Sequence, residues 1–284
     1  MTSMAMPRTK TSDESTTRTP KLPRWAEPAA WATALAGLTV ALAVWVPRLA
    51  DRAAGAPLPA PIRVVLADAP AWLPRDERIA IERTVLRSLG SSPFDQDGLR
   101  EAMDAVRQCG WHADVRQVHR TDVDEVVVEG AWAVPFALVC DAAGEHLVDT
   151  HGRLLPRQYP AGQGPKLLRI KGVSTPRPAS FGQAWPGAEV TAALRMASFF
   201  VDRPWRGQVA SVDLSTWSKD GTIRLATDRG CELVWGRAPG DESPAEVPAM
   251  QKLGALQLAF DRSGRIDGGD RTSIDLRGDY TLAR

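Results

Sequence analysis

Residues 62–90, IRVVLADAPAWLPRDERIAIERTVLRSLG, join a short β-branched run to a helical stretch. Ile62 to Leu66 reads as a strand, Pro70 and Pro74 break it, and a helix follows from Arg75 to Leu89. Ile81, Val85 and Leu89 recur every fourth residue, Asp76 and Glu77 suit a helix's first turn, and Gly90 stops it. After the turn Ser91-Ser92-Pro93 the spacing predicts a second helix over 95–109, with Leu99, Met103 and Val106 on one face and Gly110 beyond its end. Strands follow at 113–119 and 123–129. The order is therefore β-α-α-β-β.

The chain after Trp132 is richer in strands. Val134 to Cys140, His146 to Val148 and Leu167 to Ile170 are apolar runs separated by Asp141-Ala142-Ala143-Gly144 and His151-Gly152. A helix is expected over 186–200, with Val190, Leu194 and Ala197 in a stripe. Strands 208–214, 222–227 and 231–235 are joined by Lys219-Asp220-Gly221 and Asp228-Arg229-Gly230, which read as tight hairpin turns. A further helix over 250–260 turns Leu253, Leu256 and Phe260 inward, and strands 272–277 and 280–283 close the chain. This part reads as a mostly antiparallel β domain with two helices.

Upstream, residues 28–47 (PAAWATALAGLTVALAVWVP) carry no charge. At about 1.5 Å per residue a helix of that length spans the hydrocarbon of a bilayer. Trp25 and Trp45 would sit at its two interfaces, with Trp31, Leu35, Leu38 and Leu42 between them. Arg8, Lys10, Arg18, Lys21 and Arg24 precede the segment, and only Arg48 and Arg52 follow closely. The positive-inside bias then keeps the tail in the cytoplasm and places the rest outside. A signal peptide cut near Ala53-Ala54-Gly55-Ala56 competes with this reading, although the apolar run is longer than the usual signal core. The tail 1–27, polar and charged, cannot bury enough surface to fold.

Beyond Gly55 the chain holds 28 Lys/Arg against 30 Asp/Glu, which offers no basic surface for nucleic acid. Cys109, Cys140 and Cys231 are widely spaced and odd in number, so a fully paired disulfide framework is excluded. His112, His119, His146 and His151 lack the spacing of a metal motif, and Asp122, Asp124 and Glu125 lack the glycine and distal glutamate of a calcium loop. Gly162-Gln163-Gly164-Pro165-Lys166 resembles a phosphate loop only superficially, because Pro165 removes an N–H and no helix clearly follows. Ser180, Ser211 and Ser215 sit in no nucleophile elbow. Trp72, Trp111, Trp132, Trp205 and Trp235 lie at element boundaries, where large aromatics complete cores. No catalytic, cofactor-binding or metal-binding constellation is evident, and no cofactor is expected.

Several strings fall in a familiar order. Leu89-Gly90, then Pro93-Phe94-Asp95 and Leu99, is similar to the inter-helix stretch of a POTRA module. Residues 147–156 (LVDTHGRLLP), 168–172 (LRIKG) and 274–277 (IDLR) follow. Together with the tail and apolar segment, they resemble the FtsQ/DivIB family of bacterial division proteins. Leu66 is followed by Ala67-Asp68-Ala69-Pro70, where the family usually carries a "V.GN" string.

The resemblance implies an α+β chain. Residues 1–27 are its cytoplasmic tail, 28–47 a transmembrane helix, 48–61 a linker, 62–130 a POTRA-like module and 131–284 the β domain. It implies a non-enzymatic divisome scaffold at the division septum, single-pass in the cytoplasmic membrane with its C-terminal domain outside. The implied partners are small coiled-coil proteins of the FtsB and FtsL type and the septal peptidoglycan synthase complex. It also implies that the last strands accept a partner strand, through Arg277, Gly278, Asp279, Tyr280 and Leu282. Period two places Tyr280 and Leu282 on one face. A POTRA-containing adaptor for envelope transport and a membrane-anchored cell-wall enzyme are the alternatives.

Overall fold

A computed structural model describes residues 61–89, 95–269 and 272–278, together with Ala43, Trp45, Val46 and Arg48. Among these residues no helix is long and apolar enough to cross a membrane. The expected transmembrane helix is corrected accordingly. Trp25, Trp31, Leu35, Leu38 and Leu42 lie outside the described residues, whereas Trp45 is helical and 59% exposed. The tail 1–27 also lies outside them. Residues from Pro61 onward form one unit.

The first module has the expected order. Strand β1 (Arg63–Leu66) leads to α1 (Arg75–Ser88) and α2 (Gln96–Cys109), then to β2 (His112–Asp122) and β3 (Glu125–Trp132). Its sheet is ordered β1-β3-β2, with β1 parallel and β2 antiparallel to β3. Asp95 caps α2 by accepting from the Gly98 N–H at 2.9 Å, and Gly110 ends it in the left-handed conformation at φ 75°. The buried positions of α2 are Gly98, Ala102 and Val106, one step around from the expected Leu99-Met103 stripe. The cause is close helix packing. A Cβ on Gly98 would stand 2.8 Å from the Ser88 carbonyl oxygen of α1, so no larger residue fits at that point, and Leu99 and Met103 pack at the flank of the core. Ile81 and Val85 fill the α1 side of the same core, and Trp111 anchors α1 by donating from its indole N–H to Glu77 at 3.0 Å.

The second module contains one eight-stranded sheet, ordered β11-β10-β9-β8-β7-β4-β5-β6. Its strands are β4 (Ala137–Asp141), β5 (Gly144–Val148), β6 (Leu154–Tyr159), β7 (Leu168–Lys171), β8 (Val209–Asp213), β9 (Ile223–Thr227), β10 (Glu232–Gly236) and β11 (Ser273–Asp275). The pairs β4–β7, β7–β8 and β10–β11 are parallel and the other four antiparallel, so the sheet is mixed, with antiparallel pairs in a narrow majority. Parallel neighbours need crossovers, and α3 (Ala188–Phe199) and α5 (Ala249–Ser263) carry two of them. The connection from β8 to β9 is also no tight hairpin. It holds a four-residue helix, α4 (Trp217–Asp220), ended by Gly221 at φ 73°.

Helices α3 and α5 cover one face of this sheet, burying Val139, Ile170, Val212, Leu225 and Leu233 beneath Leu194, Met196, Leu253 and Leu256. Over β4–β6 the opposite face sends Leu138, Leu147 and Leu155 into the core of the first module, beside Val85, Val106 and Val126. Each such side chain contributes about 1.5–3 kcal/mol by burial, so the two modules share a core. Trp111, Trp205 and Trp235 are buried as expected, Trp132 is half-buried, and Trp72 is 40% exposed.

The quoted strings have local roles. Asp149 accepts the N–H groups of His151 (2.8 Å) and Arg153 (2.9 Å), while Gly152 takes φ 74°, which turns β5 into β6. Gly172 ends β7 at φ 70°, where a Cβ would lie 2.5 Å from the Ser215 backbone nitrogen.

Candidate interaction edge

Strand β11 is one edge of the large sheet. It is placed there by a β10–α5–β11 crossover: Gly264 ends α5 at φ 72°, Ile266 is buried, and Ser273–Asp275 runs parallel to β10. Ile274 packs against the core and Leu276 is 2% exposed. The ladder alternates. The Glu232 N–H donates to the Thr272 carbonyl at 3.0 Å and the Leu276 N–H donates to the Val234 carbonyl at 2.8 Å, with Leu233 opposite Ile274. In a parallel pair this turns Thr272, Ile274 and Leu276 toward β10 and the N–H and C=O groups of Ser273 and Asp275 outward. Among the described residues no strand covers that outer side.

The strand closes on itself at its C-terminal end. The Asp275 carboxylate accepts from the Arg277 N–H at 2.9 Å and pairs with its guanidinium at 2.7 Å, and the Arg277 carbonyl accepts from the Val247 N–H at 3.1 Å. The Arg277 guanidinium holds the Asp275 carboxyl below its ordinary value. Of the residues implied as a partner-binding edge, Arg277 is thus engaged within its own chain and Gly278 is exposed. Asp279, Tyr280 and Leu282 lie outside the described residues.

Beneath this edge is a buried ion pair for which the sequence analysis gave no role. Lys252 has no exposed surface and pairs with Glu246, which also accepts from the Arg237 N–H at 2.9 Å. Gly236 is required here, since a Cβ at that position would overlap Glu246. The signal was present in the helix stripe: Ala249, Lys252, Leu253 and Leu256 share one face at steps of three and four.

Of the three other sheet edges, β6 and β2 are partly protected, and β1 is the third. On β6 the Leu154 N–H donates to the Gln183 carbonyl and the Gly182 N–H to the Leu154 carbonyl, both at 2.8 Å, so the chain covers the start of this edge itself, and Pro156 offers no N–H. In the small sheet, edge strand β2 has three register shifts, and such bulges discourage pairing.

The remaining polar clusters serve the fold. The glycine-rich loop wraps a carboxylate of its own chain: Glu145 accepts the N–H groups of Gly162 (3.1 Å) and Gly164 (2.9 Å) and pairs with Arg169 at 2.7 Å. Burial alone would raise the Glu145 carboxyl, but Arg169 and the two amides outweigh it and hold it low. His146, 1% exposed, bonds Asp141 at 2.9 Å. Among the described residues no group of three or more His, Cys, Asp or Glu could hold a metal ion. No protein-family model matches the chain, and no curated protein matches it significantly.

Proposed function

We propose that this chain is a non-enzymatic division scaffold of the FtsQ/DivIB kind, working at the septum on the outer side of the cytoplasmic membrane. In this reading it holds small coiled-coil partners of the FtsB and FtsL type and, with them, regulates the septal peptidoglycan synthase. It uses no cofactor. The observation that carries the proposal is the contrast between the two edges of the large sheet: the outward groups of Ser273 and Asp275 are uncovered among the described residues, while residues 182–184 bond the start of β6. An uncovered edge row is what an incoming strand needs for β-augmentation. The order of modules and the turn roles of Asp149, Gly152 and Gly172 also support it.

The test is capture of the small coiled-coil partner by the purified chain. Ser273→Pro removes an outward N–H and spares the ladder to β10, so it should abolish capture while circular dichroism stays unchanged. Full capture by a folded Ser273→Pro chain would place the docking surface elsewhere. A fluorescent fusion should concentrate at mid-cell, and a uniform rim would speak against a septal role.

A further inference from the structure

Where parallel strands β4, β7 and β8 begin, the large sheet opens. The β7–β8 ladder starts only at Arg169 opposite Ser211, because β8 carries a bulge: Val209 pairs with Thr227 and Ser211 with Ala226, leaving Ala210 as the extra residue. A bulge bends its strand, and here the start of β8 departs from β7. The gap is a cleft of about 460 Å³ that reaches the core under α3, a volume in the range of small-molecule sites. Phe200 of the main core cluster, with Phe136 and Leu168 packed against that cluster, provides its apolar wall.

The charge of this cleft has one sign. Lys166, Arg169 and Arg206 line it and no carboxylate does. Arg169 is neutralised by Glu145, whose second oxygen is occupied by Gly164. Lys166 and Arg206 are exposed, and among the described residues neither has an acidic partner within 4.0 Å. An apolar slot with two uncompensated cations at its mouth is complementary to an apolar chain ending in an anion.

We propose that this cleft binds a small amphipathic monocarboxylic acid, with its apolar chain against Phe136, Leu168 and Phe200 and its carboxylate at Lys166 and Arg206. The site is separate from the β11 edge and does not depend on the scaffold reading.

Calorimetric titration of the full chain with octanoate should show saturable single-site binding. Octanol, which lacks the charge, and acetate, which lacks the chain, should each bind at least about tenfold more weakly. Added salt should weaken octanoate binding, because the cations are exposed. Two plugging variants avoid the core. A Cβ on Gly207, which lines the cleft, meets nothing within 4 Å, and Ala210 is exposed. Gly207→Leu and Ala210→Trp should abolish binding with thermal stability unchanged, and Lys166→Glu with Arg206→Glu should do the same by reversing the charge. The absence of saturable octanoate binding would overturn the proposal. So would binding that survives both plugging variants, or octanol binding as tight as octanoate.

Discussion

Lys252 donates to the Trp235 carbonyl oxygen at 2.6 Å while its ammonium lies 5.1 Å from the centroid of the same residue's indole. Together with Glu246 this makes an ion pair with almost no contact with water, between α5 and the end of β10.

Removing one partner of such a pair leaves a buried charge alone. Lys252→Met should therefore cost about 3–5 kcal/mol, read by urea denaturation. Adding Glu246→Gln removes the stranded carboxylate and should recover part of that loss. Equal stability of Lys252→Met and wild type would show that the pair contributes nothing.

The loop after α5 has a pH dependence of definite sign. Hydrogen bonds from Arg265 lead the effects that lower the Asp267 carboxyl from its ordinary 3.8 to about 2, although burial opposes them, and the Gly269 N–H and Thr227 hydroxyl add to the lowering. A carboxylate with a depressed folded value stabilises the protein above its unfolded pKa, and the contribution is lost as pH falls through the folded one. Stability should thus decline between about pH 4 and pH 2, by about 1 kcal/mol once solvent screening is allowed for. Asp267→Asn should flatten that part of the stability profile, measured by thermal melts across the acid range.

Gly172 and Gly162 both occupy positive φ, at 70° and 79°, but their surroundings differ. A Cβ on Gly172 meets the Ser215 backbone at 2.5 Å, whereas one on Gly162 meets nothing within 4 Å. Gly162→Ala should cost only the conformational penalty of about 1 kcal/mol. Gly172→Ala should cost about 1–3 kcal/mol more, because backbone has to move. Similar melting temperatures for the two variants would contradict the crowding at Gly172.

Leu147 belongs to the large sheet but lies in the core of the first module, so its effect should cross between them. Leu147→Ala should cost about 2–5 kcal/mol and lower hydrogen-exchange protection in α1 and α2 as well as in β4 and β5. Loss of protection confined to β4 and β5 would mean that the modules unfold separately.

The first module was legible because its signals are local. Ile81 and Val85 at helical spacing and the stop at Gly110 need no knowledge of partners. The choice between Gly98-Ala102 and Leu99-Met103 as the buried face was hidden, since it depends on how closely α1 approaches. The large sheet hid more. Turn residues mark hairpins, and Asp228-Arg229-Gly230 was read correctly with Gly230 at φ 86°. The parallel pairs β4–β7, β7–β8 and β10–β11 join residues far apart in sequence, and no local pattern announces them. For the same reason the candidate edge was legible as a strand at 272–277 but not as a strand parallel to its neighbour. The buried Lys252 was overlooked because a lysine among leucines reads as a surface residue unless a carboxylate can be placed beside it.

The cover that residues 182–184 place on the start of β6 limits how the large sheets of two copies could pair. Head-to-tail stacking needs two complementary edges on each sheet, and among the described residues β11 is the more open edge of this one, which disfavours extension into a filament. Pairing through β11 would instead terminate after one addition, as a single foreign strand or a two-fold pair of edges. The large sheet of a chain concentrated locally at high density is thereby guarded against growing into a continuous intermolecular sheet.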